Sequence, residues 1–185
     1  MRASRAAVTW GHSLAAGMAR WLTVWILASL GGGCVPEEPP PSSDFEVELG
    51  SGSWRFEALQ DGQDVELVRG AQGGWHVWVS VRARGMPEPG IAQLLIESEV
   101  EDLEGVPPSV TEARVRFDPV RGEPGLRELV GWVHVQLAPA CVVDHPIRVR
   151  VAVTDEAGGA TAIDERVVVP RSDPQTRPPG PCVYE

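Results

Sequence analysis

Neither lysine nor asparagine occurs anywhere in these 185 residues. Their absence excludes Schiff-base lysine chemistry, a P-loop lysine and N-glycosylation. Positive charge is scarce as well: 16 arginines stand against 26 acidic residues, a formal net charge of -10, with no basic stripe that would read as a nucleic-acid footprint. Gly-x-Ser-x-Gly, His-Glu-x-x-His and Ser-x-x-Lys are missing, and beyond the leader the only histidines are His76, His134 and His145. Nothing here calls for an enzyme or a cofactor, and carboxylate pairs are too abundant to single out a glycosidase. No C-x-x-C is present, which argues against a redox dithiol or a zinc knuckle.

What is there begins with an address. Residues 1–33 carry Arg2, Arg5 and Arg20, no acid, and the apolar run Trp21 to Leu30 ahead of Gly31-Gly-Gly33. A basic start, an apolar stretch of about ten residues and a small-residue break form a secretory signal, and the run is too short for a membrane span. Met18 would open an equally complete signal. Leu30-Gly-Gly-Gly-Cys34 resembles a bacterial lipobox, with Gly31 where that family usually has an aliphatic residue. The resemblance implies a signal over 1–33, lipid on Cys34 and, because Val35 rather than Asp follows, a place in the outer membrane. Residues 34–44 then form a lipidated Cys and a Pro/Glu-rich tether, unable to build a core and spanning roughly 30 Å if near polyproline geometry.

With Cys34 acylated, Cys141 and Cys182 are left as an even pair in an oxidising compartment. Their bridge would close a loop of about 41 residues, for which chain entropy gives roughly 4 kcal/mol, and would pin the Pro-rich tail, residues 171–185.

Residues 45–170 alternate with a period of two. Trp75, Val77, Val79, Val81 and Ala83 fall on one face of a strand, with His76, Trp78, Ser80 and Arg82 on the other. Leu129, Val133, Val135 and Leu137 repeat the pattern, which leaves Trp132 and His134 opposite them. Further strands are expected at 45–49, 54–58, 64–68, 92–100, 111–117, 147–154 and 160–169, divided by Gly- and Pro-rich turns. The expectation is all-β: an antiparallel two-sheet sandwich of seven to nine strands. Pro146 to Pro170 looks like the closing hairpin of bacterial immunoglobulin-like domains, and Leu59 to Ser80 is similar to a segment of secreted high-GC bacterial lipoproteins that have no assigned activity. These likenesses imply an envelope lipoprotein with an immunoglobulin-like domain.

The candidate site is His76-x-Trp78 with Trp132-x-His134. If the two strands adjoin, both imidazoles and both indoles would share one surface. Two histidines with a carboxylate or His145 would then suit copper or zinc. Exposed Trp78 or Trp132 would instead serve a peptide or glycan partner through contact area. The plainer alternative is that these rings cover the sheet or fill its core. Glu97, Glu99, Glu101, Asp102 and Glu104 face arginine pairs at 82/84, 114/116 and 148/150, which reads as a solvated ion-pair face. Asp102, Glu104 and Asp155 are the weaker option of a calcium site, although the spacing of a calcium-binding loop is absent. The reading is a membrane-anchored module with a structural or partner-binding role.

Overall fold

The computed structural model describes residues 44–183; the signal expected over residues 1–33, Cys34 and residues 35–43 lie outside the described residues, as do Tyr184 and Glu185. The fold is all-β. In chain order the strands are β1 (Glu46–Ser51), β2 (Glu57–Ala58), β3 (Gln63–Arg69), β4 (Trp75–Arg84), β5 (Ile91–Val100), β6 (Ser109–Arg116), β7 (Asp118–Pro119), β8 (Leu126–Val135), β9 (Ile147–Asp155) and β10 (Thr161–Arg171), with one helical turn, α1 (Pro139–Val142). The hydrogen-bonded path runs β2-β1-β4-β3-β10-β9-β5-β6, with β8 on the other side of β4 and β7 on β8.

Alternation explains the strands. On β9, Ile147, Val149, Val151 and Val153 are at most 2% exposed, and they lie across from Val100, Ser98, Ile96 and Leu94 of β5. Their β-branched side chains suit a pleated, buried surface. The inward row of β4 is buried as its alternation requires, from Trp75 at 6% exposure to Ala83 at 0%. Leu49, Phe117 and Ile147 join the same core.

The arrangement is mixed rather than purely antiparallel. The first half of β3 pairs in parallel with residues 168–171 of β10, and its second half pairs antiparallel with the start of β4. A parallel neighbour needs a long connection, and about a hundred residues separate the two strands. The entry to β3 is fixed by Asp61, whose carboxylate accepts the Val167 N–H at 2.9 Å, and by the Gly62 N–H, which donates to the Val167 carbonyl at 2.7 Å. The strand count also differs from seven to nine, because β7 is an additional short rung beside β8. Of the strand expected at 54–58 only Glu57–Ala58 forms. Gly52 turns the chain at φ 98°, and the Arg55 carbonyl sits 2.1 Å from where a Cβ would stand, so residues 52–56 close as a compact loop.

A second correction decides the site. The β4–β8 register pairs Val79 with Trp132 and Val81 with Leu129, so one extra residue of β8 bulges opposite Ser80. Gly131 takes the left-handed conformation at φ 69°, as a bulge with a leading glycine does. Since side chains alternate strictly, one extra residue exchanges the two faces from that point on. Leu129 therefore points inward as expected. Beyond the bulge it is Trp132 and His134 that point inward, while Val133, Val135 and Leu137 face outward at 42%, 47% and 63% exposure.

Candidate functional site

The two histidine strands are neighbours, but the histidines do not share a surface. His76 pairs with Val135, and Val77 pairs with His134. Direct cross-strand partners lie on the same face, so His76 and His134 are on opposite faces, as are Trp78 and Trp132. The single histidine and indole surface expected from the sequence is not formed, because the bulge at Gly131 reversed half of it. Among the described residues no three His, Cys, Asp or Glu side chains converge as a metal site.

The inward half became a polar seam. His134 is 0% exposed, with Nδ1 2.9 Å from the Thr111 hydroxyl of β6 and Nε2 2.9 Å from the Ser98 hydroxyl of β5. Ser98 donates to Gln136 Oε1 at 3.1 Å, and Gln136 Nε2 donates back to the His134 carbonyl at 3.3 Å. Because the one Ser98 proton goes to Gln136, His134 Nε2–H must donate to Ser98. Bare Nδ1 then accepts from Thr111. Every proton runs one way round the network, and the ring is neutral: burial lowers its pKa to about 4. Its surroundings make it a bridge between β8 and the β5–β6 ladder. Trp132 packs half-buried against the core, and its indole N–H has no partner.

The outward half carries the aromatic surface. His76 is buried at 8% exposure, meets Trp78 edge-on with ring centroids 4.8 Å apart, and leaves Nε2 unpaired. Burial lowers its pKa, with the Glu66 charge opposing. Trp78 itself is half-buried. It lines a cleft of about 560 Å³ together with a residue that strand periodicity hid, Trp54, which is 94% exposed. The signal for Trp54 lay in its neighbours: Gly50-Ser-Gly-Ser53 is a turn sequence, and an indole beside it stands on a loop rather than in a pleat.

That loop is fastened to the sheet by the same bulge. The Ser80 hydroxyl, 0% exposed, donates to the Gly52 carbonyl at 3.0 Å and accepts the Gly131 N–H at 3.0 Å. A Cβ on Gly131 would lie 2.4 Å from the Ser53 carbonyl, so only glycine lets the loop cross here. Phe56 occupies the space over Gly50, and the Arg82 guanidinium stacks 4.3 Å from its ring centroid. Trp54 thus projects into solvent from a pinned base. The cleft wall is acidic: Glu57, Asp64 and Glu66 stand against Arg55. Arg55 is 2.9 Å from Glu57, and Asp64 is 2.9 Å from Arg171. Glu66 has no hydrogen-bond or ion-pair partner among the described residues.

The remaining candidates have structural work. Asp155 is 1% exposed and accepts the N–H groups of Ala157 at 3.0 Å and Gly158 at 2.6 Å, closing the β9–β10 hairpin, so its oxygens are not offered to calcium. Asp102 is held 3.0 Å from His145 Nδ1, and Glu104 lies exposed in the β5–β6 connection. Of the expected ion-pair face, the 148/150 arginine pair meets those acids, Arg150 with Glu97 at 2.9 Å and Arg148 with Glu101 and also Glu165, whereas Arg82 lies 3.6 Å from Glu128 instead. Arg114 grips Glu156 through two hydrogen bonds of 2.7 and 2.8 Å, which lowers the carboxyl pKa and raises that of the guanidinium.

Cys141, in α1, is bonded to Cys182. The tail it holds adds Arg177, 2.6 Å from Asp144, which Arg171 also meets at 2.9 Å. The Arg171 hydrogen bond leads in lowering the Asp144 pKa. No protein-family model matches the chain, and no curated protein or solved structure is significantly similar to it.

Proposed function

We propose that this chain is a lipid-anchored module of the bacterial cell envelope, an immunoglobulin-like sandwich that holds a partner rather than transforming a substrate. The Cys34 lipobox and the tether after it support the anchor, and residues 1–33 support export. Stable attachment comes from more than one acyl chain, as in a mature lipoprotein. The strand order supports the finer fold. β1-β4-β8-β7 form one ladder set and β3-β10-β9-β5-β6 another, with β3 leaving the first to run parallel beside the last strand. Edge strands that change partner in this way are compatible with a sandwich of immunoglobulin type.

The observation that carries the binding role is Trp54. A single exposed apolar side chain is ordinary, but a contiguous apolar patch rimmed by polar residues marks an interaction surface. Here Trp54 stands on a loop held by Ser80 and Gly131, next to Trp78, and the outward valines of β8 extend the apolar surface. Pre-organisation of that kind lowers the ordering cost of binding. An envelope protein is the partner this surface suits.

Two experiments test the reading. Incorporation of labelled palmitate should be lost in Cys34→Ser. A photoreactive residue at position 54, in the organism of origin, should give a discrete adduct absent from the same probe at exposed Glu112. Equal labelling at both positions, or none at 54, would remove the binding role.

A further inference from the structure

We infer that the Trp54/Trp78 cleft takes a basic polypeptide segment of the partner, an Arg or Lys side chain lying between the indoles and Glu66 with an apolar neighbour on the β8 valines. The inference rests on the binding role proposed for this face and names the chemistry of what it holds.

Charge decides the class. The cleft walls carry three carboxylates and one guanidinium, a balance of two negative charges. Arg55 stands 2.9 Å from Glu57, so the one cation of the cleft is matched by a carboxylate and the balance stays acidic. Asp64 is engaged from outside the cleft by Arg171. That leaves the Glu66 carboxylate, exposed and without a hydrogen-bond or ion-pair partner among the described residues, on the same cleft wall as two indoles. Indole faces attract organic cations more strongly than other aromatic rings do, and guanidinium most often fills that role. A carboxylate beside them fixes the direction from which the cation enters.

The apolar surface sets the size. Val133 pairs with Trp78 across the β4–β8 ladder, and Val135 pairs with His76. Both valines are outward and more than two-fifths exposed, at 42% and 47%. A free small cation would leave them uncovered, whereas a polypeptide that carries both an arginine and an aliphatic side chain covers both parts. The chain's net charge of -10 also steers a basic segment towards it.

The test uses the full chain in a non-ionic detergent, with fluorescence anisotropy of a short labelled Arg-Val-Ser repeat and a Glu-Val-Ser repeat as its charge-reversed control. The Arg repeat should bind with micromolar Kd and the Glu repeat should not. Trp54→Ala should weaken binding about tenfold or more. Glu66→Gln should weaken it about threefold, as one exposed carboxylate does, and should lessen the salt dependence. Glu123→Gln, an acid on a turn away from the cleft, should match the unaltered chain. Equal affinity for the two repeats, or identical binding by Glu66→Gln and Glu123→Gln, would overturn the proposal. Saturable binding of a neutral oligosaccharide lost in Trp54→Ala, with no binding of the Arg repeat, would overturn it as well, and would leave the cleft a glycan site. Should the Arg repeat fail while the photoreactive probe at position 54 still yields its adduct, the binding role stands and the cationic class falls; absence of both removes both.

Discussion

His76 and His134 stand one register position apart on paired strands, and they have opposite fates. His134 faces the core, and both its ring nitrogens are occupied by hydroxyls of β5 and β6. His76 faces outward, is covered mainly by neighbouring rings and chain, and keeps one nitrogen unpaired. The difference lies in what each face is for. A buried polar group must find partners or be costly, and on the inner face His134, Ser98, Thr111 and Gln136 satisfy one another while the Trp132 N–H stays unpaired. On the outer face of the same ladder Ser80 is buried and satisfied, His76 is buried with one nitrogen unpaired, and Val133 and Val135 are exposed. One residue, Gly131, separates the two regimes by switching β8 from one parity to the other.

The largest effect should come from removing the inner network. His134→Ala leaves a cavity and strips partners from Ser98 and Thr111, a loss of about 4 kcal/mol in stability by urea unfolding. A loss within experimental error would mean that the seam carries no stability. Next is the switch itself. Gly131→Val places a β-branched residue at φ 69° and drives its Cβ into the Ser53 carbonyl, at a cost of about 3 kcal/mol. Limited proteolysis within residues 52–56 should become faster with it, since the loop loses its seat.

The pH dependence sharpens the comparison. The pKa of His134 is lowered by burial to about 4, against an ordinary 6.5. Its stabilising contribution is complete above 6.5, where neither state is protonated. As pH falls the unfolded chain takes up a proton that the folded chain refuses, and stability declines until the folded ring protonates near 4. The whole loss is on the order of 3 kcal/mol. His76 adds in the same direction, since its pKa is lowered too. In His134→Gln the decline between these values should flatten, measured as unfolding midpoints across the range; an unchanged slope would assign it to other groups. Smallest is the outer face: Trp54→Ala should alter stability by less than about 0.5 kcal/mol, because nothing in the core loses a neighbour. A larger loss would make Trp54 a structural residue and weaken its case as a binding one.

Much of the fold was legible. Period-two runs located eight of the nine expected strands to within a few residues, because inward rows such as Ile147-x-Val149-x-Val151-x-Val153 leave no helical alternative. The Cys141–Cys182 bridge followed from cysteine arithmetic. The arginine and acid alternation became the ion pairs at Arg150–Glu97 and Arg148–Glu101. The site was less legible for a single reason: periodicity is counted along an unbroken strand, and the bulge interrupts the count without changing the composition. A glycine inside a strand pattern, as Gly131 is, hints at a bulge but does not say what the bulge fastens. Its meaning depends on Ser80, about fifty residues away, whose hydroxyl holds the bulge and the loop together.

By itself, then, the sequence determined most of the strands, the acid excess and the pairing of two cysteines, since each depends on local pattern or on counting. Only the tertiary structure decided which face each aromatic and histidine occupies, that β3 runs parallel to β10, and that Trp54 and Trp78 line one cleft. Those depend on register and on contacts between distant residues, and a shift of one residue in register is enough to turn a side chain from solvent to core.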